Sequence, residues 1–312
     1  MKQDVEFDVI IVGAGPAGLS AALILGRCRR RVLVLDTDKP RNYASRALHA
    51  FLTRDGVHPR ELRRIGREQL SQYDTVRVVT KEATGARRLA NGFEITVATG
   101  NRLRSRKLLI ATGVVDELPP LEGLAPLYGR SVFHCPYCDG WESRDRAMAV
   151  YSRSASGVGL SIELGVWSRD VVLCTDGVRL DAKHVARLKQ HHIPWRRERI
   201  ARLDGRRGQL QRIVFVGGQT LERDVMFFNV GQRQASSIAE QLGCGFTPKG
   251  AVRTGQYEAS DIPGVYVAGD ASRLVQLAIV AAAEGAQAAF AINTDLTRED
   301  TARLLKTGDC LK

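Results

Sequence analysis

Short apolar runs followed by small-residue turns recur along the chain. The first run, DVIIV over residues 8–12, leads into GAGPAG and then an amphipathic segment that extends to about Cys28. The next run, RVLVLD, ends on Asp36. Continuous apolar runs of this length are typical of strands buried on both faces of a parallel sheet. The pattern therefore predicts a strand–turn–helix–strand unit.

The GAGPAG turn has the spacing of a dinucleotide-binding fingerprint. Gly13 permits the tight turn, Gly15 lets a pyrophosphate approach the backbone, and Gly18 lets helix and strand pack closely. The helix N-terminus faces the phosphate charge. Asp36, about 20 residues beyond the glycines, is expected to accept hydrogen bonds from a ribose. The predicted cofactor-binding residues here are Gly13, Gly15, Pro16, Ala17, Gly18 and Asp36.

Two later strands also end in small residues. LLIATG ends on Gly113, and GVYVAGD ends on Gly269 and Asp270, shortly before an alanine-rich helix. A carboxylate at a strand end can hold the hydroxyls of a flavin's ribityl chain, and a helix N-terminus can stabilise charge on reduced flavin. The same elements also suit an ordinary strand–loop–helix with a carboxylate cap. Gln276 is a candidate either for a hydrogen bond to the flavin ring or for an exposed helix position.

Length and composition narrow the class of protein. The chain has 312 residues, 44% hydrophobic and 26% charged, which suits two domains with sizeable cores. No stretch approaches the roughly 20 apolar residues of a membrane span. The chain enters a strand almost at once, which leaves no room for a signal peptide, so we expect a cytoplasmic protein. The six cysteines are mostly isolated, a poor fit to a disulfide-stapled secreted fold.

The net charge of +12 is concentrated in two arginine clusters. They comprise Arg27, Arg29, Arg30 and Arg31, then Arg196, Arg197, Arg199, Arg202, Arg206 and Arg207. Such clusters indicate either a solvated face or electrostatic steering of an acidic protein partner. A nucleic-acid partner is disfavoured, because no stacking aromatics lie between the arginines.

The segment HCPYCDG, residues 134–140, contains Cys135 and Cys138, the one closely spaced cysteine pair. Two cysteines at this spacing at a helix start can close a small disulfide ring, and the helix N-terminus favours the reactive thiolate. A zinc site would need about two more ligands at suitable spacing, and a glutaredoxin-like domain would be small and separate. We favour a flavin-coupled disulfide and predict no metal site.

A second strand–turn–helix, MAVYSRSASGVGLSIEL over residues 148–164, repeats the outline of the first. Ser152 and Ser154 replace its first two glycines, Gly157 is the third, and Arg153 projects a cation into the turn. A side chain at the second glycine position intrudes where phosphates approach the backbone. This turn is therefore expected to bind a dinucleotide poorly.

The motifs GAGPAG, IATG, CPYCDG and GVYVAGD, in this order and spacing, resemble those of the low-molecular-weight thioredoxin reductase family. The resemblance implies an α/β fold of two Rossmann-like, three-layer domains, an FAD cofactor and a homodimer. The FAD domain would be discontinuous, residues 1–113 and 244–296, with the second domain inserted as residues 114–243. A tail would occupy residues 297–312, with Cys310 as a surface thiol, and the joints would lie near Gly113 and near Cys244 to Gly250.

The resemblance also assigns roles around the cysteine pair. Cys138 would face the flavin, and Cys135 would attack the substrate disulfide. Asp139 matches the family's proton-handling carboxylate, although a helix N-terminal charge needs no catalytic role. His134 is left outside the catalytic set, as a residue that only packs beside the pair.

The resemblance breaks down where relatives bind NADPH. Besides the serines of the second turn, the strand VVLCTDG is followed by Asp176 and Gly177 instead of a basic cluster for a 2′-phosphate, with Arg179 as the nearest cation. We therefore expect an FAD-dependent oxidoreductase that acts on a thioredoxin-like protein or small-molecule disulfide without NADPH as direct donor.

The resemblance suggests ferredoxin, oxygen or a second flavin as the electron partner. The alternatives are an NADPH-dependent thioredoxin reductase and a non-catalytic flavin redox sensor.

Overall fold

The computed structural model describes residues 6–229 and 231–307. The chain forms two compact units. The first contains the described residues up to 43, residues 51–115 and the described residues from 232 onward. The second contains residues 44–50 and the described part of 116–231.

Strands and α-helices alternate through much of the chain. The strands are β1 Phe7–Val12, β2 Val32–Asp36, β3 Val76–Thr80, β4 Ala83–Leu89, β5 Gly92–Val97, β6 Arg102–Ile110, β7 Val114–Glu117, β8 Val132–Phe133, β9 Met148–Tyr151, β10 Val171–Cys174, β11 Trp195–Arg196, β12 Ile200–Arg206, β13 Gln209–Phe215, β14 Thr220–Glu222, β15 Val225–Phe228, β16 Gly231–Gln234 and β17 Val265–Val267. The helices are α1 Pro16–Arg27, α2 Pro59–Leu70, α3 Pro136–Asp139, α4 Ser156–Leu164, α5 Ala182–Gln190, α6 Ile238–Gln241 and α7 Ala278–Thr307.

A seven-stranded sheet in the order β3-β2-β1-β6-β5-β4 forms the centre of the first unit, and β17 also pairs with β6. Strands β3, β2, β1, β6 and β17 are parallel, whereas β4 and β5 continue the sheet as an antiparallel hairpin. Ile11 lies opposite both Val34 and Leu109 in the registers of β1. The predicted strand–turn–helix–strand unit is confirmed, and its turn stands at the carboxyl end of β1.

Helix α1 is more deeply buried than an amphipathic surface helix. Ala17, Ala21, Ala22 and Leu25 are all buried and share a hydrophobic cluster with Ile292 of α7. Because α1 packs against both α7 and the central sheet in this cluster, it has only a narrow exposed face. Small side chains at this interface allow the two helices to approach closely.

The second unit has its own parallel sheet in the order β11-β10-β9-β15-β8, and a three-stranded antiparallel sheet of β12, β13 and β14. Strand β9 leads through the second turn into α4, as the sequence predicts. The two parallel sheets thus provide the two Rossmann-like folds expected from the sequence.

The second boundary between the units differs from the predicted one. The chain passes between units at residues 115/116 within β7 and 231/232 within β16, and these two strands pair with each other. The sequence placed the second change at 243/244. Ile238 and Ala239 instead belong to the first unit, because they are buried in one hydrophobic cluster with Phe93 of β5.

The predicted tail from residue 297 is not a separate segment over its described part. Helix α7 runs without interruption from Ala278 to Thr307. Leu296 is fully buried, and Asp300 pairs with Arg30 at 2.6 Å. Cys310, predicted as a surface thiol, lies outside the described residues. Among the helices of the described residues, none combines the length and apolar character needed to cross a bilayer.

Candidate functional site

The first glycine turn is built from backbone contacts that exclude side chains. Gly13 has φ +109°, and a Cβ placed on it would lie 2.3 Å from the Ala111 carbonyl oxygen. A Cβ on Gly18 would lie 1.9 Å from the Gly13 oxygen. A Cβ on Gly15, in contrast, would meet no atom within 4 Å. The turn is therefore closed against the fold at two glycines and open at the one where a pyrophosphate is expected.

The ends of β6 and β17 lie beside this opening. Gly113 has φ +68°, and a Cβ placed on it would lie 3.9 Å from the Asp270 Cβ. The Thr112 hydroxyl between these segments is buried without a hydrogen-bond partner. An orphaned buried hydroxyl carries a desolvation cost that a bound polar group can remove. The structure thus brings together the predicted Gly113 and Asp270, and the residue before Gly113 has an unsatisfied buried hydroxyl.

Two predicted carboxylates of the first unit are held by arginines that the sequence analysis missed. Arg41 donates to Asp270 at 2.8 Å. Arg67 of α2 donates to Asp36, Arg63 lies 3.8 Å from the same carboxylate, and the Ala14 N–H lies 3.4 Å from its other oxygen. In the sequence, the one indication of Arg63 and Arg67 was their four-residue spacing, which places both side chains on one face of a helix.

Gln276 lies outside the helix in which it was expected. Helix α7 begins two residues later, at Ala278, and Gln276 is half-buried. Its side chain exchanges two hydrogen bonds of 2.8 Å with that of Gln232. The interpretation as an exposed helix residue is therefore wrong, and the hydrogen bond to a flavin ring stays a prediction.

Cys135 and Cys138 form a disulfide in the second unit. Cys135 is the N-cap of α3, and the Cys138 N–H donates to its carbonyl at 3.2 Å. A Cβ on Gly140 would lie 2.5 Å from the Pro136 oxygen, so the segment is tightly folded. Within residues 6–229 and 231–307, no three His, Cys, Asp or Glu side chains converge as a metal site. The disulfide at the start of α3 has the geometry expected of a redox-active cysteine pair.

Asp139 directly follows the pair. Burial, reinforced by the nearby Glu142 carboxylate, raises the pKa of Asp139 to about 7, although His49 opposes the shift. Such a carboxyl group can gain and lose a proton near neutral pH. His134 contacts the Tyr128 hydroxyl at 3.2 Å and Asp116 at 3.9 Å, which fits the packing role expected of it.

Two exposed aromatic side chains lie within three residues of the cysteine pair in sequence. Tyr137 is 66% exposed and Trp141 is 64% exposed. Tyr137 packs edge-on against Trp167 at 5.9 Å and is hydrogen-bonded to Glu163, while the Arg144 guanidinium lies 4.2 Å from the Trp141 ring. Both rings are therefore held in place although they face solvent. Sequence reasoning missed them, because neither has a motif beyond its closeness to the cysteines.

The second turn is filled by its own serine hydroxyls. Ser152 is buried, and its hydroxyl accepts from the Ser154 N–H at 3.3 Å. The Ser154 and Ser156 hydroxyls are 2.6 Å apart. A Cβ on Gly157 would lie 2.5 Å from the Ser152 Cβ. Side-chain hydroxyls thus take the hydrogen-bonding positions that stay open at the first turn.

The region after β10 is more basic than the sequence indicated. Asp176 lies 3.8 Å from Arg153 and accepts from the Ile200 N–H at 2.9 Å. Arg197 donates to the Gly177 carbonyl at 3.2 Å, and a Cβ on Gly177 would lie 3.3 Å from the Arg199 side chain. Arg179 is the nearest cation in sequence, but Arg197 and Arg199 of the next strand connection lie beside Gly177 in the fold.

Many arginines of the two clusters have structural partners. Arg30 donates to Asn293 at 2.7 Å and to Asp300 at 2.6 Å, and so ties α1 to α7. Arg196 pairs with Glu198 at 2.6 Å, and Arg202 with Asp204 at 2.8 Å. Neither solvent exposure alone nor a partner-binding role alone therefore describes these two arginine clusters.

A glycine turn with dinucleotide-binding spacing in one unit and a disulfide at a helix start in the other are features expected of a flavin-dependent disulfide oxidoreductase. Residues 7–285 match the family model for pyridine nucleotide-disulphide oxidoreductases, and the chain belongs to that family. It is a thioredoxin reductase-like flavoprotein with FAD as cofactor. The open Gly15, the orphaned Thr112 hydroxyl and Asp270 fit that cofactor.

Similar proteins support this placement. A "Probable thioredoxin reductase" of Arthroderma benhamiae is 30% identical, over 86% of this chain and 74% of the relative. A crystal structure from Bacillus anthracis assigned as a thioredoxin reductase is 32% identical, with a TM-score of 0.90 over 94% of this chain and 99% of that one. The structure of HlmI is 30% identical, with a TM-score of 0.93 over 98% and 97%.

The raised pKa of Asp139 predicts a pH-dependent stability difference. The pKa is about 7 in the folded protein and ordinarily 3.8, so its contribution to stability is complete below pH 4 and is lost as pH rises to 7. Asp139→Asn should therefore gain roughly 2–3 kcal/mol of unfolding free energy relative to wild type between pH 5 and pH 8. Denaturant unfolding at both pH values measures this difference. The exposed Asp145→Asn is the control, and equal pH responses of the two variants would contradict the prediction.

Proposed function

We propose that the protein exchanges electrons between FAD and a disulfide substrate through Cys135 and Cys138, without NADPH as direct donor. The observation that carries the proposal is the contrast between the two turns. The first is open at Gly15, whereas Ser152 and Ser154 occupy the second with their own hydrogen bonds.

FAD supplies the two-electron chemistry that interconverts the Cys135–Cys138 disulfide and the dithiol. The Cys135 thiolate then attacks one sulfur of the substrate disulfide and releases the other as a thiol. The Cys138 thiolate attacks the resulting mixed disulfide, which re-forms the Cys135–Cys138 bond and releases the reduced substrate. Asp139, with a pKa of about 7, can hold or supply the proton that the thiols exchange.

The residues of the first unit have binding roles in this proposal. Gly13, Gly15 and Gly18, with the α1 N-terminus at Pro16 and Ala17, hold the pyrophosphate. Asp36, positioned by Arg67, holds the ribose. Gly113, Gly269 and Asp270 border the ribityl region, with Arg41 fixing the Asp270 carboxylate.

A second candidate is an NADPH-dependent disulfide reductase. Arg197 and Arg199 lie beside Gly177, where a 2′-phosphate binds in a nucleotide-binding Rossmann fold. Asp176 opposes this candidate by charge, although its contacts with Arg153 and the Ile200 N–H engage part of its carboxylate. The two candidates differ in whether a nicotinamide nucleotide reduces the flavin.

The exposed aromatic residues favour a protein substrate of thioredoxin-like character. Small-molecule sites are concave and bury most of the ligand. Tyr137 and Trp141 are instead about two-thirds exposed and held rigid, as anchors in protein interfaces commonly are. A partner that presents its disulfide on an apolar surface would cover both rings while its sulfur reaches Cys135.

Anaerobic titration with NADPH and NADH tests the choice of donor. We expect the flavin absorbance of the wild type to stay unchanged at micromolar nucleotide, because serine side chains replace two glycines of the second turn and engage its Ser154 N–H. Ser152→Gly with Ser154→Gly should increase nucleotide-dependent bleaching. Rapid bleaching of the wild type that Arg199→Met weakens would instead support the NADPH-dependent reductase.

The partner surface is tested with Trp141→Ala. With a thioredoxin-like protein disulfide, KM should rise about tenfold while kcat changes little, because truncation of an interface anchor removes binding energy. Val216→Ala removes an exposed apolar side chain from the three-stranded sheet region and is the matched control. An unchanged KM for Trp141→Ala would exclude this surface from substrate binding.

A further inference from the structure

We propose that Glu284 and Gly285 of α7 join the two chain segments that form the FAD site, and that Glu284 is a positioning residue for the cofactor. This proposal rests on the FAD site of the first unit and is independent of the route by which electrons enter. Both residues lie more than 100 positions from the first glycine turn in sequence. Each contacts a different segment of the protein chain that borders the FAD site.

Gly285 provides the contact with the first segment. A Cβ placed on it would lie 2.0 Å from the Ala17 carbonyl oxygen and 2.9 Å from the Ala17 Cα. Ala17 belongs to the first turn of α1, two residues after Gly15. Backbone thus meets backbone at this crossing, and the position of the α1 N-terminus depends on α7.

Glu284 provides the contact with the second segment. Its side chain is buried, and one carboxylate oxygen accepts from the Gly269 N–H at 2.8 Å. Gly269 has φ +80° and immediately precedes Asp270. The carboxylate therefore fixes the backbone that places Asp270 at the edge of the predicted ribityl region.

An ion-pair network holds Glu284 in this orientation. Arg273 donates to the second carboxylate oxygen of Glu284 at 3.0 Å and to Glu258 at 2.5 Å. Glu258 is also buried, and both Glu258 and Tyr257 have positive φ, 63° and 54°. Non-glycine residues adopt this conformation at a cost that other contacts must offset. The buried pair between Glu258 and Arg273 is such a contact.

The two contacts explain why one helix can control a site made from distant segments. Glu284 and Gly285 are adjacent, so a shift of α7 would move the α1 N-terminus and the Gly269–Asp270 backbone together. Loss of the Glu284 carboxylate should release the Gly269 N–H and leave Arg273 with one buried partner. We then expect a large loss of FAD affinity and only a small loss of thermal stability.

The test compares Glu284→Ala, Glu284→Gln and Glu299→Ala in the full-length chain. Glu299 is also on α7 and pairs with Arg106 at 2.9 Å, at the other end of the central sheet. FAD affinity is measured by titrating deflavinated protein with FAD, and the midpoint potential of the bound flavin is measured on the loaded protein. Thermal unfolding of the deflavinated variants reports folding separately.

We expect Glu284→Ala to raise the FAD dissociation constant at least about tenfold and to shift the flavin potential. Glu284→Gln should recover part of this loss, because its side-chain oxygen can still accept from the Gly269 N–H. Glu299→Ala should lower thermal stability with little change in FAD affinity or potential. Equal affinity losses in Glu284→Ala and Glu299→Ala would overturn the proposal, as would a Glu284→Ala affinity within about twofold of wild type.

Discussion

Close backbone contact around the start of α1 is the constraint on which the first unit depends. Gly13 faces the Ala111 carbonyl, Gly18 faces the Gly13 carbonyl, and Gly285 faces the Ala17 carbonyl, each without room for a methyl group. Together these contacts fix the end of β1, the α1 N-terminus and α7 as one arrangement. Gly15, between these contacts, has open space where a Cβ would lie. The packing of the elements thus leaves one open position at this turn.

The same strand–turn–helix outline has different hydrogen bonding in the second unit. There, Ser152, Ser154 and Ser156 bond to one another across the turn. Polar groups that satisfy each other have less to gain from a ligand, because a ligand must replace existing hydrogen bonds. The second unit instead presents the Cys135–Cys138 disulfide, with a carboxyl group of raised pKa beside it. In the proposed function, the first unit holds the cofactor and the second exchanges disulfides.

Local sequence patterns predicted the features that short segments determine alone. The buried strands, the first glycine turn and the cysteine pair are each encoded within about ten residues, so spacing and residue type were sufficient. Features that need distant residues were missed. Arg41 beside Asp270 and Arg199 beside Gly177 depend on chain connections that no local motif reports. The boundary near residue 231 was misplaced for the same reason, since the burial of Ile238 depends on strands more than 100 residues earlier.

In the proposed function, bound flavin and the Cys135–Cys138 disulfide exchange electrons. Anaerobic photoreduction of the FAD-loaded protein, followed by rapid alkylation and mass mapping of the modified cysteines, tests it most directly. We expect Cys135 and Cys138 to become alkylated after illumination and to stay unmodified in the dark. The opposite result is a fully reduced flavin with both cysteines unmodified, while the same disulfide is readily reduced and alkylated after the protein is unfolded. That result would show that the flavin does not reduce the Cys135–Cys138 disulfide.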